Sequence, residues 1–124
     1  MDNNILYSKE YLWIKKDGDT ARIGLTEYAI KKMKTIVFLN LPDSGDDVTI
    51  GEVFGDIESL KTVSDLISPV TGCVESINED LADEPDTIND SVENSWLIEV
   101  KTEAFSEELM NEAEYLEFIG SDTE

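Results

Sequence analysis

Three observations predict a mainly β fold, either a barrel or a sandwich. Short apolar or alternating runs recur at intervals of about eight to twelve residues, with turn-forming residues between them. Only two stretches have helical character. The chain has 124 residues, of which 40% are hydrophobic. This length supplies one hydrophobic core but not two, so we expect a single domain over residues 1–124.

The first elements are three strands. Ile5–Tyr7 predicts a short edge strand, and the β-rich run over residues 11–15 predicts a second strand. The Asp17-Gly18 dipeptide lies between this run and residues 20–25, and Asp-Gly between apolar runs is the strongest short-range signal for a hairpin. We therefore expect residues 20–25 to return antiparallel to residues 11–15.

A short helix is predicted near residues 27–34. Thr26 is a suitable N-cap, and the acid that follows it favours the first turn of a helix. Lysines at 31, 32 and 34 would lie near its C-terminal end, where positive charge interacts favourably with the helix dipole. The following apolar run over residues 35–41 predicts a strand that is buried at least in part on both sides.

The middle of the chain predicts a series of strands and turns. Expected turns cover residues 42–46 and 68–72, and expected strands cover a short piece near residues 48–50, both flanks of Lys61, residues 73–77 and residues 96–100. The acidic stretch over residues 78–94 predicts a surface loop anchored by Leu81 and Ile88. This β core spans about residues 5–101.

The C-terminal segment, residues 106–119, predicts helical turns. Ser106 is a candidate cap for a short helix over residues 107–110. Asn111 and Glu114 have the spacing of a capping box, and the apolar residues that follow at helical intervals give one apolar face. Gly120 is expected to end this helix.

Composition excludes several function classes. Twenty-nine acids against nine bases give a net charge of −20, which argues against nucleic acid or an anionic membrane as partner and favours proteins with a basic docking face. The chain has no histidine and a single cysteine, Cys73, so Ser-His-Asp and Cys-His catalysis and an internal disulfide are impossible. The acids at 43, 46 and 47 do not have the spacing of a calcium loop, and we expect no metal site.

The N-terminus does not predict targeting to a membrane or export. Residues 1–4 include an acid and no base, and no long apolar run follows them. We therefore expect no membrane span and a cytoplasmic location. No carboxylate is paired with a base in the sequence, so we expect a protein that is not an enzyme.

One residue stands out against the acidic background. Lys61 is the only base between Thr35 and Val100, and apolar alternation on both sides predicts that it lies at the tip of a hairpin. It is either an idle, solvated turn residue or an amine presented to a partner. The pattern of the flanks favours presentation.

Several motifs in order resemble one family. The chain is similar, over about residues 7–119, to the H protein of the glycine cleavage system, a relative of lipoyl and biotinyl carrier domains. The residues that carry the resemblance are Trp13, Ile36-Val37-Phe38, Glu58-Ser59-Leu60-Lys61, Ser64-Asp65, Ser68-Pro69-Val70-Thr71-Gly72, Asn78-Glu79-Asp80-Leu81 and Trp96-Leu97-Ile98. A lone Glu-Ser-x-Lys would be a weak signal, whereas this ordered series is specific.

The resemblance implies a flattened barrel-sandwich hybrid of two sheets that carries lipoic acid in amide linkage on Lys61. It implies that Glu58 and Gly45 take part in recognition by the lipoylating enzyme, although a left-handed turn is an equally good reason for glycine at position 45. Tyr11, Leu12 and Asp65 match positions that contact the loaded arm. The family usually has His-Glu-Trp where this chain has Tyr11-Leu12-Trp13, so an acid is replaced by an apolar residue.

The implied function is that of a monomeric shuttle. Such a carrier takes an aminomethyl group from glycine decarboxylase to an aminomethyltransferase and then passes electrons to dihydrolipoamide dehydrogenase. Two alternatives remain open at this stage. One is an H-like lipoyl carrier that serves sulfur oxidation or redox-stress protein modification. The other is an unmodified acidic interaction domain.

Overall fold

The computed structural model describes residues 5–33, 36–84 and 96–120. Within these ranges the chain forms nine strands and three helices. In chain order they are β1 (Ile5–Tyr7), β2 (Leu12–Asp17), β3 (Thr20–Leu25), α1 (Glu27–Met33), β4 (Ile36–Asn40), β5 (Asp47–Val48), β6 (Val53–Ser59), β7 (Val63–Ile67), β8 (Val70–Ile77), α2 (Glu79–Asp83), β9 (Trp96–Phe105) and α3 (Glu112–Gly120).

The strands form two antiparallel sheets, which confirms the mainly β prediction. The large sheet has six strands in the order β1-β2-β3-β9-β8-β5, and the small sheet has three in the order β4-β6-β7. Side chains from both sheets enclose one apolar core, including Ile14 and Val100 from the large sheet and Ile57 and Leu66 from the small one. The arrangement is sandwich-like.

The predicted N-terminal hairpin and helix are confirmed. Asp17 pairs with Thr20, so Gly18 and Asp19 form a two-residue turn, and Gly18 has the positive φ (67°) that this turn needs. The helix α1 follows Thr26, whose hydroxyl accepts a hydrogen bond from the backbone N–H of Ala29 at 3.3 Å. This is the expected N-cap.

The burial expected for residues 35–41 is wrong. Ile36 and Leu39 are buried, but Val37 and Phe38 are 43% and 54% exposed. The strand β4 lies at an edge of the small sheet, and its outward side chains are not enclosed by a second apolar layer. Hydrophobicity along the sequence could not distinguish this edge strand from a central one.

Two strands are longer than expected. The turn predicted over residues 68–72 is confined to Ser68 and Pro69, because β8 begins at Val70 and pairs there with Phe105. The same pairing extends β9 to Phe105, five residues beyond the predicted end at 100. Long-range pairing therefore overrides the turn-like composition of Thr71 and Gly72.

Two helical assignments also change. The helix expected over residues 107–110 is a turn, and Met110 instead exchanges two backbone hydrogen bonds of 2.8 Å with Tyr7. The expected loop after residue 78 begins with the short helix α2, in which Leu81 is buried as predicted. The other proposed anchor, Ile88, lies outside the described residues.

Tyr115 attaches the C-terminal helix to the large sheet. The capping box at its start is confirmed, since Asn111 and Glu114 exchange side-chain to backbone hydrogen bonds of 3.0 and 2.8 Å. The hydroxyl of Tyr115 lies 2.7 Å from that of Thr26, and its ring stacks on Tyr7 with centroids 4.6 Å apart.

None of the helices among the described residues is long and apolar enough to cross a membrane.

Replacement of Gly72 by alanine is expected to destabilise the fold. A Cβ at this position would contact the carbonyl oxygen of Lys101 on β9, because the strands approach closely at a bulge. We expect a loss of about 1–3 kcal/mol in the free energy of unfolding, measured by denaturant titration. Gly120→Ala is the control, since no atom lies within 4 Å of its added Cβ. Equal stability of the two variants would contradict the close approach.

Tyr115→Phe tests the attachment of α3. Loss of the hydrogen bond to Thr26 is expected to cost about 1 kcal/mol at neutral pH. Burial raises the pKa of Tyr115 from 10.0 to about 12, so the neutral phenol is favoured in the folded state. The contribution of the neutral Tyr115 phenol to the free energy of unfolding is therefore complete below pH 10. It is lost as the pH rises towards about 12. Wild type should therefore lose stability more steeply than Tyr115→Phe in this window; parallel pH profiles would contradict the assignment.

Candidate functional site

The predicted hairpin is present, and Lys61 lies at its tip. Strands β6 and β7 pair antiparallel as far as Glu58 opposite Val63. The connection consists of Leu60, Lys61 and Thr62 after the last strand residue, Ser59. Both Lys61 and Thr62 are exposed, and Leu60 is 74% exposed.

Ser59 organises the tip. Its backbone N–H donates to the carbonyl of Thr62 at 2.8 Å, and its buried hydroxyl accepts the backbone N–H groups of Lys61 at 3.3 Å and Thr62 at 3.2 Å. One serine therefore satisfies two donors of the turn and leaves the lysine side chain outside it. The sequence analysis treated Ser59 only as part of the motif. The tendency of serine to bond nearby backbone N–H groups was the available signal.

The base of the hairpin is anchored by apolar side chains. Ile57 and Leu66 are 1% and 3% exposed and belong to the core between the sheets. Because side chains alternate between the two faces of a strand, Asp56 and Glu58 point away from this core. The anchor restrains the tip without covering it, so a group attached to Lys61 displaces no packed side chain.

The hairpin is electrostatically one-sided. Asp56 on β6 is paired across the strands with Asp65 on β7, and Glu58 follows two residues later on the same face. The amide of Asn40 donates to Asp56 at 2.8 Å. Lys61 is thus a single positive charge beyond three carboxylates on one small sheet. The structure brings together Glu58, Lys61 and Asp65 from the predicted site.

Gly45 lies in a turn beside the large sheet. It precedes β5, an edge strand of the large sheet, and its N–H donates to the carbonyl of Val74 at 2.7 Å. Its φ of 96° is in the left-handed region, and an added Cβ would meet no atom within 4 Å. The turn conformation is therefore a sufficient reason for glycine here. A role in recognition stays a prediction.

Tyr11 and Leu12 lie where β2 begins. Tyr11 has a positive φ of 70°, and its ring centroid is 5.4 Å from that of Tyr28 and 5.9 Å from that of Phe118. Leu12 has 0% exposure and belongs to the core. An enclosed side chain leaves little surface for contact with an attached group. Contacts of Tyr11, Leu12 and Asp65 with an arm stay predictions.

In the part of the chain that the structure describes, no group of three or more cysteine or acidic side chains is arranged to hold a metal ion. Cys73 lies half-buried on β8, opposite Lys101 of β9. The chemistry that the hairpin offers is therefore that of one exposed primary amine.

Comparison with known proteins agrees with the geometry. The family model described as "Glycine cleavage H-protein" matches residues 5–122. The chain is 46% identical over 117 residues to a glycine cleavage system H protein of Staphylococcus carnosus, covering 92% of this chain and 93% of the relative. It is 44% identical over 125 residues to one of Halalkalibacterium halodurans, covering 98% of each.

A solved structure agrees as well. The crystal structure of a glycine cleavage system H protein from Mycobacterium marinum superposes with a TM-score of 0.89 at 35% identity. The match covers 97% of this chain and 99% of that one. The similarity therefore extends over both sheets and the C-terminal helix.

Leu12→Glu is expected to destabilise the fold rather than to form an arm contact. A carboxylate at this position would be enclosed by apolar side chains and has no partner there, so the free energy of unfolding should fall by at least about 3 kcal/mol. Denaturant unfolding measures this loss. Leu60→Glu, at a position 74% exposed, is the control and should change stability by less than about 0.5 kcal/mol. A Leu12→Glu protein as stable as this control would show that the site opens to solvent.

Proposed function

The chain belongs to the glycine cleavage H-protein family, and we propose that it carries lipoic acid on Lys61 as the shuttle of a glycine cleavage system. The observation that supports this most strongly is the position of Lys61. It is an exposed amine at the tip of a hairpin whose base is anchored in the core. Members of this family are carriers rather than enzymes.

The residues around Lys61 suit an amide-linked group. The amine is free to be acylated because Ser59 holds the turn through the backbone and does not engage the lysine side chain. Acylation removes the positive charge, and no described carboxylate forms an ion pair with Lys61 that would be broken. When bound, the lipoyl group would supply a dithiolane that can carry an aminomethyl group and then a pair of electrons.

Four partners follow from this proposal. A lipoylating enzyme would modify Lys61, and glycine decarboxylase, an aminomethyltransferase and dihydrolipoamide dehydrogenase would act on the attached group in turn. A tether raises the effective concentration of the group at each enzyme without a large permanent interface. The charge of −20 favours rapid, salt-sensitive encounters with basic docking surfaces.

Intact-mass measurement tests the attachment. After incubation with a lipoate–protein ligase, lipoate and ATP, wild type should gain one lipoyl increment and Lys61→Ala none. Lys9→Ala removes another exposed lysine and should be modified like wild type. Lys61→Ala should change stability by less than about 0.5 kcal/mol, because the residue is exposed in a turn. A lipoyl mass increment on the Lys61→Ala variant would show that Lys61 is not the attachment site.

Reconstitution tests the system that the carrier serves. Lipoylated wild type should support release of carbon dioxide from glycine when mixed with glycine decarboxylase, and the unmodified protein should not. A protein that accepts the lipoyl group but supports no decarboxylation would keep the carrier role and exclude glycine cleavage.

A further inference from the structure

A groove lies on the outer face of the large sheet, beneath the C-terminal helix α3. Side chains alternate between the two faces of a strand, so Trp13 and Arg22 point away from the core that their neighbours Leu12 and Ile23 enter. The groove has a volume of about 550 Å³, which is the size of a small-molecule site. We call it the outer groove and define it by Tyr7, Trp13, Lys15, Arg22, Tyr115 and Leu116.

The floor of the outer groove is the indole of Trp13. Trp13 is paired with Gly24 across β2 and β3, and a Cβ at position 24 would collide with the indole. Glycine therefore lets the ring lie across the neighbouring strand. Trp13 is 6% exposed, and its indole N–H has no hydrogen-bond partner among the described residues. Buried donors are nearly always paired, so this one is available to an acceptor that enters the groove.

The helix α3 forms one wall of the groove and is held above the sheet. Tyr115 stacks on Tyr7 and is hydrogen-bonded to Thr26, and these contacts fix the position of the helix. Leu116 and Ile119 lie three residues apart on one side of the helix and line the groove. Leu116 is 56% exposed. The wall therefore offers apolar surface that the chain itself does not cover.

The charge of the outer groove is opposite to that of the chain as a whole. Three bases, Lys15, Arg22 and Lys31, and one acid, Glu112, line it, whereas the whole chain has nine bases and 29 acids. The side chain of Lys15 forms no ion pair within the part of the chain that the structure describes. The groove therefore favours a negatively charged ligand.

The positive charge and the acid lie at different positions in the groove. Lys15 and Arg22 are paired across β2 and β3, so they share one row of the outer face. Glu112 instead lies near Tyr7, whose pKa is raised by burial and by this carboxylate. Tyr7 is paired with Trp13 and belongs to the adjacent row. A ligand would therefore be oriented with its anionic group towards Lys15 and Arg22.

We propose that the outer groove binds a small carboxylate that has an aromatic body. The carboxylate pairs with Lys15 and Arg22, and the body lies between the floor at Trp13 and the wall at Leu116. Four aromatic side chains line the groove, and aromatic rings pack well against a planar, apolar ligand. The groove is on the large sheet, whereas Lys61 is on the hairpin of the small sheet. The inference therefore does not depend on acylation of Lys61.

A second copy of this chain is a less suitable occupant of the outer groove. Each copy carries a net charge of −20, and repulsion of this size opposes self-association. A small anion reaches Lys15 and Arg22 without bringing a large excess of negative charge against the rest of the surface. It also fits within the volume of the groove, which a folded domain does not.

Titration of the isotope-labelled full chain with 2-naphthoate, followed by NMR, tests the proposal. The chain has two tryptophans and hence two indole N–H signals, which the Trp96→Phe variant assigns. Trp13 lines the outer groove, whereas Trp96 lies outside it. The matched ligand is 2-naphthamide, which has the same ring system but no charge.

We expect a saturable shift of the Trp13 indole signal, with a Kd for 2-naphthoate at least about tenfold lower than that for 2-naphthamide. Lys15→Gln should raise the Kd of 2-naphthoate about three- to fivefold and leave that of 2-naphthamide unchanged. The control is Lys101→Gln, which removes the same charge from an exposed residue on the same sheet outside the groove. Its Kd should stay within about 1.5-fold of that of wild type, because solvent and salt screen a distant charge.

A second pair of variants tests the apolar wall. Leu116→Ala should raise the Kd of both ligands about threefold or more, because apolar contact area is lost. Leu60→Ala, at a position 74% exposed on the hairpin, is the control and should change neither Kd. Lys15, Leu116 and both control residues are exposed, so every variant should unfold with a midpoint close to that of wild type.

Four outcomes would overturn the inference. Absence of a saturable Trp13 shift would show that the groove does not bind this class of ligand. Equal affinities for 2-naphthoate and 2-naphthamide would show that the carboxylate is not recognised. Equal losses in Lys15→Gln and Lys101→Gln would show that only the net charge of the protein matters. A Trp13 signal that moves with protein concentration alone, together with a dimer in sedimentation, would assign the groove to a second copy.

Discussion

The presentation of Lys61 depends on the burial of the inward side chains of one hairpin. Ile57 and Leu66 are enclosed between the two sheets, and this burial determines which face of β6 and β7 is turned to solvent. A shift of one residue in register would exchange the two faces, so the core specifies the register strongly. This register places the carboxylates of β6 and β7 on the outward face and leaves the tip exposed.

The large sheet supplies most of the strand pairing in the structure. The long pairing of β8 with β9 joins residues that are far apart in the sequence, and α3 is held against the edge of the sheet through Tyr115. The small sheet contributes only three strands and leaves its outer side chains exposed. The large sheet thus provides most of the paired backbone, whereas the small sheet exposes Lys61 at its hairpin tip. Contacts made at the tip therefore need not disturb the core.

The net negative charge of the chain also influences which partners it can bind. The excess of acid is unfavourable to self-association and to nucleic acids, while it favours encounter with basic proteins. On the outer face of the small sheet the acids are arranged beside exposed apolar residues rather than dispersed. The pair of Asp56 and Asp65 is unfavourable for the isolated protein.

The sequence by itself determined the local features of this protein. The hairpin at Gly18, the cap at Thr26, the capping box at Asn111 and the hairpin tip at Lys61 depend on interactions between residues close in the chain, and each is present. Only the tertiary structure decided the extents of β8 and β9, the turn in place of a helix before Met110, the exposure of Phe38 and the burial of Leu12. These features depend on which distant strand provides a partner and on which face meets the core. An alternating pattern specifies two faces of a strand, but only packing against the other sheet determines which of them is buried.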